Sequence, residues 1–359
     1  MPIINIRQFN IKSLRKQFSL HIIFKRKYSF EIFFTILIIL GIPLNLYKNR
    51  FYDNSWTVGE WLISYAGGFV RRGLPGELIH FISNQYSFSP ILLVWLFSVF
   101  ALLSLASLVL NFCKNLFDKS FLLSQLIILA PLSEDYFVRK DAFLVLSYGL
   151  SLLIMKALYQ KRVKKLTTIL AVNFISMIAI FSHESYGIWG MPSLLIILFI
   201  FEKKNKKNNL QSFLLAILYF MPSIISFILC WLFKGDINHS LTIHQSWQAM
   251  DELMPSISAL YEKEPSGAIA AIGWGTSQIF TSSLISQFNL LIFWHPGMWL
   301  LTIYIAIKLF LGKKKDLTQR LKRIIVCSQL ISFIPMFLFV DIGRWIFMWL
   351  TSSALLFSF

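Results

Sequence analysis

The chain has 359 residues, 56% of them hydrophobic and only 14% charged, and its mean hydropathy is +0.65. Soluble domains carry about 25% charged residues, so a soluble globule of this length could not hide so much apolar surface and is excluded. The formal net charge of +17 invites a nucleic-acid partner, but the placement of the charges along the chain assigns them to membrane topology instead.

Residues 1–30 hold seven Lys and Arg and no long apolar stretch. That excludes a cleavable signal peptide and predicts a basic cytoplasmic segment lying along an anionic membrane surface. Residues 31–359 read as a single transmembrane domain. A spanning helix needs about 20 mostly apolar residues, and the candidates are 31–47, 91–112, 120–132, 142–159, 166–182, 186–201, 210–233, 290–311, 323–340 and 345–359. The third is short, roughly 20 Å at 1.5 Å per residue, so it must tilt, thin the bilayer or stop short of crossing. With the N-terminus inside, 25 of the 34 Lys and Arg fall in cytoplasmic segments, whereas 13 of the 17 Asp and Glu fall in outer ones. Basic residues concentrate on the cytoplasmic side of membrane proteins. The expected fold class is therefore all-α: a polytopic integral membrane protein of about ten transmembrane helices, N-terminus cytoplasmic. The cysteines Cys113, Cys230 and Cys327 fall in or beside apolar runs, without metal or disulfide spacing, and read as small apolar residues.

Two outer segments are long, 48–90 and 234–289. The uncharged stretch 267–289 would pass for another span, but counting it would move Lys313–Lys315 outside, against the charge rule. It reads as an interfacial or re-entrant helix.

The outer segments carry the residues able to do chemistry. The first holds Asp53, Glu60 and the run Gly67-Gly68-Phe69-Val70-Arg71-Arg72-Gly73-Leu74-Pro75-Gly76-Glu77. Its glycines and proline predict a shaped loop rather than a smooth helix. Glycines let backbone N–H groups approach a ligand, and paired arginines grip phosphate bidentately. The plainer reading sets the arginines on lipid headgroups. The second, Ser133–Asp141, holds Glu134, Asp135, Arg139, Lys140 and Asp141. It is either a solvated turn with internal ion pairs or a polar loop facing a cavity; ionisable groups at membrane depth are costly and usually functional. The third is His183-Glu184, between two spans. The fourth is Asp341-Ile342-Gly343-Arg344-Trp345, where Asp341 and Arg344 could simply pair with each other. Four loops thus place acid–base sets at one membrane depth, which predicts one outer-face site built from several helix ends. His239, His244, Asp251, Glu252, Glu262 and Glu264 lack metal-ligand spacing, and their loop reads as a substrate cover or acceptor surface. No cofactor motif is present, and a divalent metal is left open.

Such a site offers arginines for phosphate, carboxylates for proton transfer and an opening toward lipid, which fits a polyprenyl-phosphate-linked sugar or oligosaccharide. The layout resembles the GT-C class of multi-pass membrane glycosyltransferases and the O-antigen or capsule polysaccharide polymerases of bacterial envelopes. The run from Glu60-Trp61 to Gly67–Leu74, with Arg139-Lys140-Asp141 and Asp341-x-Gly343-Arg344-Trp345, is similar to polysaccharide-locus membrane proteins. The resemblance implies residence in the bacterial inner membrane, a role in polysaccharide biosynthesis, and a catalytic carboxylate in the first outer loop, Glu60 or Asp53. Arg71, Arg72 and Arg344 would then hold the lipid phosphate, with Glu77, Glu134, Asp135, Arg139, Lys140, Asp141, His183, Glu184 and Asp341 as further substrate contacts. The first loop lacks an Asp-x-Asp, and no large soluble C-terminal domain follows, which argues against oligosaccharyltransferase-type chemistry. The rival classes are a transporter or flippase of lipid-linked sugars, which would bind at the bilayer midplane, and a non-catalytic subunit of an envelope assembly complex. Reporter fusions test the topology: those at Lys164, Lys206 and Lys314 should read cytoplasmic, and those at Gln85, Glu184 and Glu262 outer. A cytoplasmic reading at Glu262 would overturn the order of spans from the seventh onward.

Overall fold

A computed structural model describes residues 31–44, 56–127, 138–204, 208–250, 263–274, 296–311, 317–333 and 342–359. Their regular secondary structure is helical throughout. Among the described residues, five helices or near-continuous helix pairs are long and apolar enough to cross a membrane. After the shorter apolar α1 (Glu31–Leu44), the small α2 (Thr57–Trp61) and α3 (Gly73–Tyr86), these are α4 (Pro90–Phe112), α6 (Asp141–Tyr159), α7 (Lys165–Ser182), α8 with α9 (Ser185–Trp189 and Met191–Lys204) and α10 (Asn209–Leu232). The fifth helix in chain order, α5 (Leu116–Leu126), lies where the short third span was expected. Beyond α10 come α11 (Ile237–Gln248), α12 (Gly267–Ala270) with a 3₁₀ turn at Ala271–Gly273, α13 (Pro296–Phe310), α14 (Leu317–Phe333) and α15 (Ile342–Ser358).

The packing follows from where small residues fall. On α10, Ser212, Ala216, Ser223, Ser226 and Cys230 face the bundle, while Leu214, Leu218, Met221, Ile225 and Ile228 are exposed. Lipid tails solvate leucine as well as a protein core does, so helices in a bilayer associate through small faces that allow close approach. Helix α4 packs on α6, α6 on α7, and α7 and α9 on α10. Because the chain reverses between consecutive spans, Asp141, Ser182, Ser185 and Leu232 gather at one end of the bundle. Tyr159, Lys165, Lys204 and Asn209 gather at the other.

That second, basic end is closed by simple pairs. Lys119 meets Glu31 at 3.7 Å, Lys308 meets Asp118 at 3.0 Å, and Lys165 meets Glu202 at 2.6 Å.

Pro222 lies inside α10, where a missing N–H and a bulky ring interrupt the hydrogen-bond ladder. The side chain of Asn173, on α7, bridges the break. Its amide donates to the Tyr219 carbonyl at 2.7 Å, and its Oδ1 accepts the Ser223 N–H at 3.3 Å and the Ser223 hydroxyl at 2.7 Å. One asparagine thus satisfies the carbonyl and the amide that an unbroken helix would have joined to each other.

The run Gly73–Glu77, expected to be loop, is instead the first turn of α3. Its glycines serve packing: a Cβ on Gly73 would sit 2.2 Å from the Tyr65 ring, and one on Gly76 would sit 2.0 Å from the Ile63 carbonyl oxygen. Pro75 falls in the first helical turn, where its missing N–H costs nothing. The segment 267–289 does begin as short helix and 3₁₀ turn, but its remainder and the basic segment 1–30 lie outside the described residues. Asn173→Leu should lower stability by about 1–3 kcal/mol, since it strands a buried donor and acceptor beside Pro222. Thermal unfolding of the detergent-purified protein measures this, with Thr168→Val on the same helix as the control.

Candidate functional site

The end of the bundle opposite the simple lysine pairs holds a connected set of buried ions. Arg344, in the first turn of α15, is at its centre. Its Nε donates to both Asp141 oxygens at 2.8 and 2.7 Å, and its Nη2 donates to both Glu60 oxygens at 3.2 Å. Asp141 opens α6 and Glu60 sits on α2, so one guanidinium ties three elements together. His183, the residue that ends α7, places Nε2 at 3.1 Å from Glu60 Oε1. Its Nδ1 accepts the Ser185 N–H at 3.3 Å, which leaves the neutral ring's proton on Nε2. All four side chains are almost fully buried.

Beside this group, Glu184 is gripped by the arginine pair. Arg72 donates Nε and Nη2 to its two oxygens at 2.7 and 2.6 Å, a bidentate fork, and Arg71 Nη1 reaches it at 3.3 Å. Charge-assisted forks of this kind are strong and directional. Arg72 itself sits at φ 66°, in the left-handed region, which costs a non-glycine residue on the order of 1 kcal/mol or more. A chain with Gly67, Gly68 and Gly73 alongside uses arginine there because the side chain is what holds Glu184. Lys140 locks the strained backbone: its Nζ donates to the carbonyls of Arg72 at 3.2 Å and Ser182 at 3.0 Å.

These groups surround a cavity of about 120 Å³ lined by Glu60, Arg71, Arg72, Arg139, His183 and Arg344, with Trp56, Trp274 and Trp345 among its walls. The second long loop supplies one wall. Trp247 of α11 donates to the Leu62 carbonyl at 2.7 Å, and Ser240 donates to the Ile269 carbonyl at 2.8 Å. This brings Ala268, Ala271, Ile272 and Trp274 over the cavity. Trp61, next to Glu60, donates its indole N–H to the Val138 carbonyl.

Burial and neighbours set the protonation states. Burial raises the Glu60 carboxyl, but Arg344, His183 and Lys140 outweigh it and hold it well below the usual carboxylate range. Burial also opposes ionisation of Glu184, and Arg72, His183 and Arg71 overcome it in the same way. His183 is pushed down to about 4 by burial and by Arg72, and Lys140 is pushed down to about 7 by burial, with Arg72 adding to it against Glu60. The site therefore holds two firm carboxylates, a neutral imidazole and a lysine near its titration point.

Of the sequence candidates, Glu60, Arg71, Arg72, Arg139, His183 and Arg344 line the cavity, and Lys140, Asp141 and Glu184 back it. Glu77 does not: it turns away to accept the Tyr65 N–H at 2.9 Å, fixing the loop before α3. Arg344 reaches across the bundle to Asp141 and Glu60. Asp53, Glu134, Asp135 and Asp341 lie outside the described residues, as do Asp251, Glu252 and Glu262. His239 pairs with Asp236 at 2.7 Å, and His244 is buried in α11. Among the described residues, no three His, Cys, Asp or Glu side chains are grouped to hold a metal ion. The sequence reading missed Trp56 and Trp274. The signal for Trp56 was its position one helical turn before Glu60.

Residues 30–263 match the family model described as "Uncharacterised membrane protein Rv1490". The chain belongs to that family. The matched span takes in Glu60, the arginine pair, Arg139–Asp141, His183 and Glu184, and it ends before Trp274 and Arg344. No curated protein and no solved structure matches the chain. With the five long apolar helices, membership establishes a multi-pass membrane protein.

The low His183 value makes stability depend on pH. Its folded pKa lies near 4, below the ordinary 6.5, so the unfolded chain binds the extra proton and stability falls as pH drops through that window. Glu60 and Glu184 add their own loss only nearer the usual carboxylate range. Between about pH 6.5 and 5 the wild type should lose up to about 1.4 kcal/mol per pH unit, and His183→Gln should flatten that slope. Thermal unfolding of both proteins across the window measures it.

Proposed function

We propose that this protein is a membrane glycosyltransferase or polysaccharide polymerase of the bacterial inner membrane, acting at the outer face on a sugar carried by a polyprenyl phosphate or diphosphate. Its fold would be GT-C-like, with about ten spans and a cytoplasmic N-terminus. The excess of basic residues at the opposite end supports the orientation.

One observation carries the reading. Around the cavity five basic side chains, Arg71, Arg72, Arg139, Lys140 and Arg344, meet three carboxylates, Glu60, Asp141 and Glu184, among the described residues. A cavity with surplus positive charge at the end of a lipid-embedded bundle favours an anion that arrives through the membrane. Arg71 is the side chain best placed to meet it: it lines the cavity, and its buried Nε has no hydrogen-bond partner among the described residues. A lipid-linked phosphate has the charge for these arginines and brings its sugar to Glu60.

In this reading Arg71, with Arg139 on the same cavity lining, binds the donor phosphate and stabilises charge building on it as the glycosidic bond breaks. Glu60 receives the proton of the acceptor hydroxyl. Its pairing with Arg344 and His183 keeps it ionised and aimed, and acceptance of a proton would be helped by loosening the Arg344 contact, the longer of that guanidinium's two bridges. Asp53, in the same loop, is the alternative base.

The assay is glycan transfer from a lipid-linked donor by membranes carrying each variant at matched protein levels. Glu60→Gln should cut transfer by at least about 10²-fold, the low end for loss of a positioned base. Arg71→Lys keeps the charge and loses the planar fork, and should raise the donor concentration needed for half-maximal rate. Near-normal transfer by both Glu60→Gln and Asp53→Asn would rule out a first-loop base.

A further inference from the structure

The anion chemistry leaves the cavity's tryptophans unused. Trp56 lines the cavity and is 45% exposed. Its carbonyl accepts the Glu60 N–H at 3.3 Å, so the two residues stand one helical turn apart, and side chains at that spacing share a helix face. From the second loop Trp274 meets it edge-on, with ring centroids 5.5 Å apart and planes at 69°. The third cavity tryptophan, Trp345, is already packed: His183 lies 4.9 Å from its ring, and the Arg344 guanidinium lies 4.9 Å over it.

A tryptophan that serves only as a membrane-interface anchor sits at headgroup level facing lipid. Trp56 and Trp274 instead form an angled corner in the wall of a cavity that also holds a carboxylate, an imidazole and arginines. A purely apolar ligand gains nothing from those charges, and a bare phosphate gains little from the indoles. A pyranose uses both. The C–H bonds on one of its faces pack against an indole plane, and its hydroxyl rim bonds to carboxylates and guanidinium groups. Indole supplies large apolar area in a rigid shape.

We propose that Trp56 and Trp274 form a carbohydrate platform that seats the acceptor sugar with a hydroxyl facing Glu60. The platform rests on the glycosyl-transfer reading for its role, but not for its existence. Its two halves come from different outer loops, so docking of α12, which leads into the 3₁₀ turn and Trp274, onto α2 completes it.

The test is saturation-transfer NMR on the full-length protein in lipid nanodiscs, with the methyl glycosides of glucose, galactose, mannose and N-acetylglucosamine as probes and mannitol as the acyclic control. At least one glycoside should show transfer to its ring C–H protons well above mannitol. The signal should fall at least about fivefold in Trp56→Ala and in Trp274→Ala, and most of it should return in Trp56→Phe, which keeps an aromatic face. No glycoside signal above mannitol, or signals unchanged in both alanine variants, would overturn the platform. Saccharide contact that depends on both tryptophans, in a protein that transfers no glycan, would leave the platform standing and sink the transferase reading. Glu60-dependent transfer with contacts indifferent to Trp56 and Trp274 would do the reverse.

Discussion

Arg344 joins two carboxylates that lie 203 and 284 residues away in sequence. Burying a guanidinium is costly unless its charge and its donors are met, and burying a carboxylate carries the same condition. Neither Asp141 nor Glu60 can be sealed from water without Arg344, nor Arg344 without them. The first turns of α6 and α15 must therefore meet, and α2 must come down onto both. Once Glu60 is fixed, His183 is positioned by it. Glu184 follows in the chain, and the fork of Arg72 closes on Glu184. Lys140, on the carbonyls of Arg72 and Ser182, then holds the Arg72 backbone to the end of α7, two residues before Glu184.

The two ends of the bundle use charge differently. At the basic end, Glu31, Asp118 and Glu202 meet Lys119, Lys308 and Lys165, lysines that keep part of their surface exposed. Such pairs fasten helix ends. At the other end Arg344, Glu60 and Glu184 each serve several partners, one arginine sits on strained backbone, and Arg71 keeps a buried donor unmet beside a cavity. A network needed only for packing would be simpler as apolar side chains, since replacing buried ion pairs with well-packed hydrophobic residues is often neutral or stabilising. The retained charge, the strain and the cavity lie together, which is the pattern expected where structure has been given up for binding or chemistry.

Much of this was legible in the sequence. Spans declare themselves because lipid demands long apolar helices with every backbone group satisfied internally, and five such helices stand where hydropathy placed them. The depth at which charged residues recur followed from the same spans, so the end of the bundle where Arg71, Lys140, His183 and Arg344 meet could be read in advance. The pairings could not. Arg344 also crosses to Asp141 and Glu60, 203 and 284 residues away, because such partner choice depends on which helix ends are neighbours. Glu77 shares a motif with the arginines but caps a turn instead. The glycines around it read as a loop and proved to be contact points, Gly76 against Ile63 and Gly73 against Tyr65, since close approach looks the same in sequence as flexibility. Trp274 was hidden in an uncharged stretch whose docking on α2 has no local signature.

The coupling between Glu60 and Arg344 tests the central claim most directly, because the whole site is argued to hang on that bridge. A double-mutant cycle with Glu60→Gln, Arg344→Met and the double variant, read as unfolding free energy in detergent, isolates it. If the bridge organises the site, the double variant should be no less stable than Arg344→Met alone, with a coupling energy of about 1–3 kcal/mol. Losses that add to within about 0.5 kcal/mol would show that the two residues act independently, and would contradict this account of how the site is built.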